Sequence, residues 1–279
     1  MKYEPVLDLC GKLEYQRYLV VGDIHGCWNE LDNLLNQLNF NYNSDVLICV
    51  GDLIDRGPDS LTVYLNFLTT KNWYSVMGNH DDRFRRYLQG RNVKQSHGLV
   101  ETIKQFTEAG VLNDVIKKKE CLEFFSNLPY IIKVPDGYIV HGGFYPNRLP
   151  EEQTREDCIF SRYFGGKDYF DHKLGRYWYK CLPDNYPTTF SGHEVHEECS
   201  HQRDHYTIST GGQKTRRFEE DWLLDGGCVF GGELRIWDSK DDQVHSIKAL
   251  KIYSESSGPS EKRLERSAQH FYENKDLTT

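Results

Sequence analysis

No apolar run in the 279 residues approaches the roughly 20 needed to cross a bilayer. The start, Met1-Lys2-Tyr3-Glu4-Pro5, lacks the basic and apolar stretches of a secretory signal. A spanning or exported protein is therefore not expected, and the sequence reads as cytoplasmic. There is no C-x-x-C pair. The eight cysteines (Cys10, Cys27, Cys49, Cys121, Cys158, Cys181, Cys199, Cys228) are scattered, several inside apolar runs, and read as reduced core residues. Positive charge is not in excess either: Lys+Arg 34 against Asp+Glu 42 leaves -8, which argues against broad adhesion to nucleic acid and against stable duplex DNA binding. A local basic patch stays compatible with that balance, because carboxylates that hold a metal are neutralised by it. Internal repeats and low-complexity blocks are also missing.

What is present has the composition of an ordinary soluble protein, 38% hydrophobic and 27% charged. One domain over 1–253 is expected, with its core at about 18–237 and a polar tail at 254–279, where Glu261–Tyr272 could form a helix. Tyr18–Val21, Val46–Val50 and Trp73–Met77 read as strands. Between them, Trp28–Leu38 reads as a helix, and a second helix is expected from about Pro58 with Leu61, Tyr64, Leu65 and Leu68 on its apolar stripe. This β-α-β-α-β order predicts a largely parallel sheet with right-handed crossovers. A mostly helical stretch over Asp82–Ser126 follows, then strands at Tyr130–Val134 and Tyr138–Val140 around the Pro135-Asp136-Gly137 turn. Loops and short helices are expected to about Tyr186, a polar surface excursion over Glu194–Asp221, and strand character again over Trp222–Trp237.

Each of the first three strands runs into a loop of unusual composition. These are Gly22–Gly26 (G-D-I-H-G), Gly51–Gly57 (G-D-L-I-D-R-G) and Gly78–Asp81 (G-N-H-D). In open sheets, ligands gather at the carboxyl ends of strands. The loops here and downstream offer Asp23, His25, Asp52, Asn79, His141 and His193, which are oxygen and imidazole donors without thiolate. That set favours manganese, iron or zinc over copper. Two such metals activate a bridging water and clamp a phosphoryl group, and Asp52, on the middle loop, is the natural bridging carboxylate. Arg56 offers a bidentate fork to phosphate oxygens. His80 suits a general acid, with Asp55 holding its imidazole. Singly, each Asp could cap a helix and each His could be a bonded core residue. Three Gly-flanked loops after three successive strands are not accounted for that way.

These motifs resemble those of the phosphoprotein-phosphatase branch of the calcineurin-like metallophosphoesterases: G-D-x-H-G, G-D-x-x-D-R-G and G-N-H-[DE], followed by His141 in V-H-G-G and His193 in S-G-H. The resemblance covers about Tyr18 to Trp237 and implies a four-layer α-β-β-α sandwich with a helical insertion and a loop-rich cap. It also implies one metal on Asp23, His25 and Asp52 and a second on Asp52, Asn79, His141 and His193, with Asp55–His80 as the acid pair. Manganese is the foremost expectation; iron, zinc and nickel are the alternatives.

Asp81 stands where protein Ser/Thr phosphatases usually carry glutamate. Aspartate there is similar to diadenosine tetraphosphatases and to the phosphatase module of bacterial RNA-repair enzymes, which Tyr87–Leu99 and Asp225–Gly232 also resemble. No G-x-x-x-x-G-K-[ST] kinase loop accompanies that module. The resemblance implies a phosphoesterase of nucleotide or RNA-end phosphates, in a bacterial or phage-infected cell. A phage-type protein phosphatase, a diadenosine tetraphosphatase and an inactive binding module are the alternatives. Gly192-His193-Glu194-Val195 departs from the family's G-H-T-P, and the insertion after it has no counterpart. A further phosphate-binding arginine is expected, either Arg162 or Arg176, with Arg162 preferred.

The basic group Arg83, Arg85, Arg86, Arg91 and Lys94 could steer a substrate or form a solvated helix face. His196, Cys199, His201 and His205 match no closed zinc module and read as surface residues. The aromatics Tyr163, Phe164, Tyr169, Phe170, Tyr177, Trp178 and Tyr179 could stack a base or form a satellite core.

Overall fold

Tyr18–Val21, Val46–Cys49 and Trp73–Ser75 lie side by side and parallel, as the alternation of strand and helix in the sequence requires. A computed structural model describes residues 6–14, 16–146, 148–164, 176–183, 185–208 and 214–255; the side chains at 163, 164, 176 and 201–220 lie outside that description. In order, the chain forms β1 (Val6–Asp8), α1 (Cys10–Leu13), β2 (Tyr18–Val21), α2 (Trp28–Gln37), β3 (Val46–Cys49), α3 (Ser60–Thr69) and β4 (Trp73–Ser75). Three helices follow: α4 (Asn79–Leu88), α5 (Leu99–Glu108) and α6 (Val115–Asn127). Then come β5 (Ile131–Val134), β6 (Gly137–Val140), α7 (Arg155–Phe160), β7 (Tyr163–Phe164), β8 (Arg176–Tyr177), β9 (Thr189–Ser191), β10 (Ser200–Ile208), β11 (Lys214–Leu223), β12 (Glu233–Asp238) and β13 (Gln243–Lys248).

Among the described residues there are two large sheets, one of order β13-β12-β2-β3-β4 and one of order β1-β5-β6-β9-β11-β10. Period-two alternation sends the side chains of each strand to opposite faces, and the core divides accordingly. Tyr18, Val20, Val46, Ile48 and Val50 of the first sheet meet Ile132, Val134, Ile139, Phe190 and Trp222 of the second in a core between the sheets. Leu19, Val21, Leu47 and Cys49 face the other way and pack on Leu31, Leu34, Val63, Phe84, Phe106 and Phe125 of the helices. On the outer side of the second sheet, Ile131, Tyr138 and Val140 are covered by Phe144, Cys158, Trp178 and Tyr179. The result is the layered α-β-β-α sandwich that the motifs imply.

Several local expectations are corrected. Pro58 does not open α3. Asp59 caps it, its side chain accepting from Thr62 N at 3.0 Å, so Pro58 sits ahead of the helix. The buried face of α3 is Ser60, Val63, Tyr64 and Phe67, with Leu61 and Leu68 partly buried at its edge, while Leu65 is 41% exposed. The G-N-H-D stretch is not a loop beyond Gly78. Asn79, His80 and Asp81 form the first turn of α4, with Gly78 as its cap.

Glu194–Asp221 is not a surface excursion, since it supplies β10 and most of β11, an antiparallel pair that extends the second sheet through β9. Polar composition concealed it, because strand pairing satisfies backbone groups whatever the side chains are. β1, α1 and β13 are further elements without a prior signal. The helix expected at Glu261–Tyr272 lies outside the described residues. No helix among the described residues is long and apolar enough to cross a membrane.

Candidate active site

Three parallel strands of one sheet and three of the other point their carboxyl ends at the same place. β2 delivers Asp23 and His25, β3 delivers Asp52, and β4 runs into Asn79 and His80 at the start of α4; from the second sheet, β6 ends before His141, β9 before His193 and β11 before Asp225. Asp52 lies where the two sets meet. Its carboxylate is 3.4 Å from His25 Nε2, 3.5 Å from His141 Nε2 and 4.0 Å from His80 Nε2. Asp23 closes the other side, accepting from His193 N at 3.1 Å and lying 3.9 Å from His141 Nδ1. Asn79 Oδ1 is 3.0 Å from His141 Nε2.

The backbone is bent hard to achieve this. His25, Asp52, Asp55, Arg56 and His193 all adopt positive φ, between 46° and 73°, a conformation that costs non-glycine residues about 1–3 kcal/mol each and clusters at functional sites. Two glycines are fixed by close approach. A Cβ on Gly78 would collide with Asp52, and one on Gly192 with the Asp23 carboxylate.

Neighbouring groups orient the donors. His25 Nδ1–H donates to Ile54 O at 2.8 Å and His141 Nδ1–H to Val50 O at 2.9 Å, which leaves both Nε2 lone pairs facing Asp52. Asp81 clamps the turn below, its carboxylate accepting from Asp52 N, Leu53 N and Gly78 N at 2.9, 3.1 and 3.0 Å. His80 N donates to Asp52 Oδ1 at 2.9 Å, and His80 Nδ1–H to Asp55 Oδ2 at 2.7 Å. Asp55 is held in turn by the Thr102 hydroxyl at 2.7 Å.

Electrostatically the site has too much buried anion. Burial, then the charges of Asp225 and Asp52, push the Asp23 carboxyl well above its usual range. Asp225 is itself pushed up to about 6 by burial. Asp52 is held below the carboxylate range despite burial, by His141, His25 and Arg56. Burial and then Arg56 bring His25 down to about 3, which keeps it a neutral ligand. Burial and the same arginine lower His80 as well. A donor set of carboxylates, one amide oxygen and neutral imidazoles around surplus negative charge fits divalent cations. Cationic groups already point at two of the imidazoles: Arg56 Nη1 is 2.6 Å from His25 Nε2, and Arg162 Nε is 2.8 Å from His193 Nε2.

A model of the calcineurin-like phosphoesterase family matches residues 16–231, the span that carries all of these donors. The chain belongs to the calcineurin-like phosphoesterases. Similar curated proteins include bis(5'-nucleosyl)-tetraphosphatase PrpE of Anoxybacillus flavithermus, 28% identical over 85% of this chain and 96% of that one. The protein of the same name from Geobacillus sp. strain WCH70 is 30% identical over 84% and 95%. A crystal structure provisionally named a diadenosine tetraphosphatase superposes with a TM-score of 0.65 at 24% identity, covering 89% of this chain and all of that one, and supports the fold. As a member of this family the chain is a phosphoric ester hydrolase that uses divalent metals.

In this phosphoesterase the structure brings together all six residues expected as metal ligands, together with His80, Asp55 and Arg56. Arg162 is at the site, between His193 and Glu194, with its Nε 3.1 Å from Glu194 Oε2. The Arg176 side chain lies outside the described residues. Of the basic group, Arg83 alone touches His80, its Nη2 3.0 and 3.2 Å from the two ring nitrogens, while its Nη1 is fixed on Ser96 O. Arg85 and Arg86 turn instead to the buried carboxylate of Asp82, which Arg155 also holds; Arg91 and Lys94 are exposed.

Trp178 and Tyr179 belong to the buried satellite core, whereas the side chains of Tyr163, Phe164, Tyr169 and Phe170 lie outside the described residues. His196 is half-buried: it packs edge-on against Tyr177 and Tyr179, and burial followed by Arg235 lowers it to about 4. Cys199 is half-buried, and the His201 and His205 side chains are outside the description. Asp225 was legible only as a turn, because its two glycines masked its place after a strand.

Proposed function

We propose that this phosphoesterase holds two divalent metals, manganese foremost, on Asp23, His25, Asp52, Asn79, His141 and His193, and hydrolyses nucleotide polyphosphates of the bis(5'-nucleosyl) tetraphosphate type. When bound, such a metal pair supplies an activated water and neutralises the transferring phosphoryl group. The observation that carries the reading is the convergence of both sheets on Asp52, with the His25 and His141 imidazoles each held by a backbone carbonyl. The relatives' shared name supports the substrate class, and the -8 charge argues against broad adhesion to a long nucleic acid.

The protein's own groups then divide the work. Arg56, stacked 5.2 Å above the Phe230 ring, and Arg162 present guanidinium forks to phosphate oxygens. His80, oriented by Asp55, turns its Nε2 toward the leaving oxygen as general acid, and carries a proton there once an anionic substrate offsets the burial and the Arg56 charge that lower it. Burial pushes Asp55 up to about 7, opposed by Thr102 and Arg83. Residues 1–253 act as one catalytic unit in the cytoplasm.

The test is a panel of diadenosine tetraphosphate, an RNA 2′,3′-cyclic phosphate and a phosphopeptide, run with Mn, Mg and Zn in turn. The tetraphosphate is expected to lead in kcat/KM by more than about tenfold, or about 1.4 kcal/mol of transition-state binding. A tenfold lead for the phosphopeptide would overturn the substrate assignment and leave the phosphoesterase assignment standing.

A further inference from the structure

Directly behind His25, a second group of donors has no part in the chemistry above. Cys27 caps α2, Glu30 lies in the first turn of that helix, and Cys228 opens the short turn that follows Asp225. The two Sγ atoms and a Glu30 carboxylate oxygen all lie within 4.8 Å of one another. All three residues are buried, Glu30 and Cys27 completely. Glu30 Oε1 accepts from Leu250 N at 3.0 Å and from the Tyr253 hydroxyl at 2.7 Å, whereas Oε2 is buried without a hydrogen-bond partner. A buried carboxylate oxygen with no donor, beside two thiols, is an arrangement that a cation would complete.

We propose that Cys27, Cys228 and Glu30 bind a thiophilic divalent cation of the zinc class, distinct from the phosphoesterase metals. Donors at about 2.3 Å for sulfur and about 2.0–2.2 Å for oxygen sit under about 4 Å apart around a tetrahedral centre, so the observed spread needs only a small contraction. Binding releases the two thiol protons to solvent, and the cation then meets two thiolates and one carboxylate, with the fourth corner left for a water or a backbone carbonyl. Ligand softness separates the two kinds of site, because the donors around Asp52 include no sulfur. The bound cation would tie the loop after β2 to the turn after β11. Through Glu30 it would also reach the segment after β13, whose Tyr253 N and Ser254 N already bond Val229 O.

The experiment uses the full chain, stripped with chelator and reloaded with Co²⁺. Thiolate-to-cobalt charge-transfer absorption is expected in the wild type. It should persist in Asp52→Asn, vanish in Cys27→Ser and Cys228→Ser, and need at least tenfold more metal in Glu30→Gln. Absence of the band from natively folded wild type, or its survival in both cysteine variants, would overturn the proposal, as would intact-mass evidence of a Cys27–Cys228 disulfide in place of metal. X-ray absorption of the zinc-loaded wild type needs no substitution. Sulfur neighbours at about 2.3 Å support the site, and nitrogen and oxygen neighbours alone refute it.

Discussion

The two strand triplets that build the site are alike in space and unlike in sequence. β2, β3 and β4 are consecutive and joined by single helices, so their loops follow at short intervals, each marked by glycine. β6, β9 and β11 are equally parallel neighbours, yet long connections separate them, and their ends carry one donor each: His141, His193 and Asp225. A catalytic edge can thus be half local and half assembled from afar. The local half supplies the orienting hydrogen bonds, and the distant half closes over it.

Asp52 is where the halves meet, and its removal is the strongest test of that division. On the proposed two-metal reading, Asp52→Asn should lower kcat/KM by about 10⁴-fold and reduce bound divalent metal, read by metal analysis, from two equivalents to one or none. If two equivalents remained, the halves would be independent sites. His80→Ala comes next, with a loss of about 10²–10³-fold on a nucleotide substrate. The loss should shrink on an aryl phosphate whose leaving group needs no proton, and an equal loss on both would remove His80 from the acid role. His25→Ala and His193→Ala each take one donor from one half, and each should weaken metal binding by about 10–100-fold. A much larger effect of His25 would make the local half dominant. Arg162→Ala should raise KM by about tenfold, with a smaller change in kcat, because its fork binds substrate from the distant half alone.

The smallest effect on activity should come from Arg17, at the opposite ends of the strands. Arg17 joins Asp45 at 3.2 Å to Asp238 and to Leu38 O, which pins β12 beside β2. Arg17→Met should leave kcat unchanged and cost about 2 kcal/mol of stability. Burial raises the Asp238 carboxyl, but the Arg17 hydrogen bonds outweigh it and hold it below the usual range. A depressed folded pKa stabilises the protein above the unfolded value of about 3.9, and that stability is lost as pH falls through the lower folded value. The gap in Tm between wild type and Arg17→Met should therefore be full at pH 7 and close below about pH 4.

The same division explains what could be read from the chain. Leu19, Val21, Leu31, Leu34 and Leu35 announce themselves by period, and Asp23, His25, Asp52 and Asn79 by their flanking glycines. The fold class and the local donors were therefore legible. β10 and β11 were not, since their residues alternate without an apolar face and their pairing rests on backbone hydrogen bonds. Asp81 was legible as a motif letter but not as the clamp on the Asp52 loop, which depends on a carboxylate reaching amides 28 and 29 positions back. Arg83 and Arg85 look interchangeable in sequence. One helical step decides that the first lies on His80 and the second on Asp82.

The hydrogen bond from His193 to Asp23 spans 170 positions. During synthesis the chain emerges from its amino end, and a growing chain short of residue 193 already carries five of the six donors yet lacks the group that closes them. Asp225 arrives later still. A chain short of that residue therefore lacks a closed site, which forms only when nearly the whole molecule has been made and its two sheets have docked.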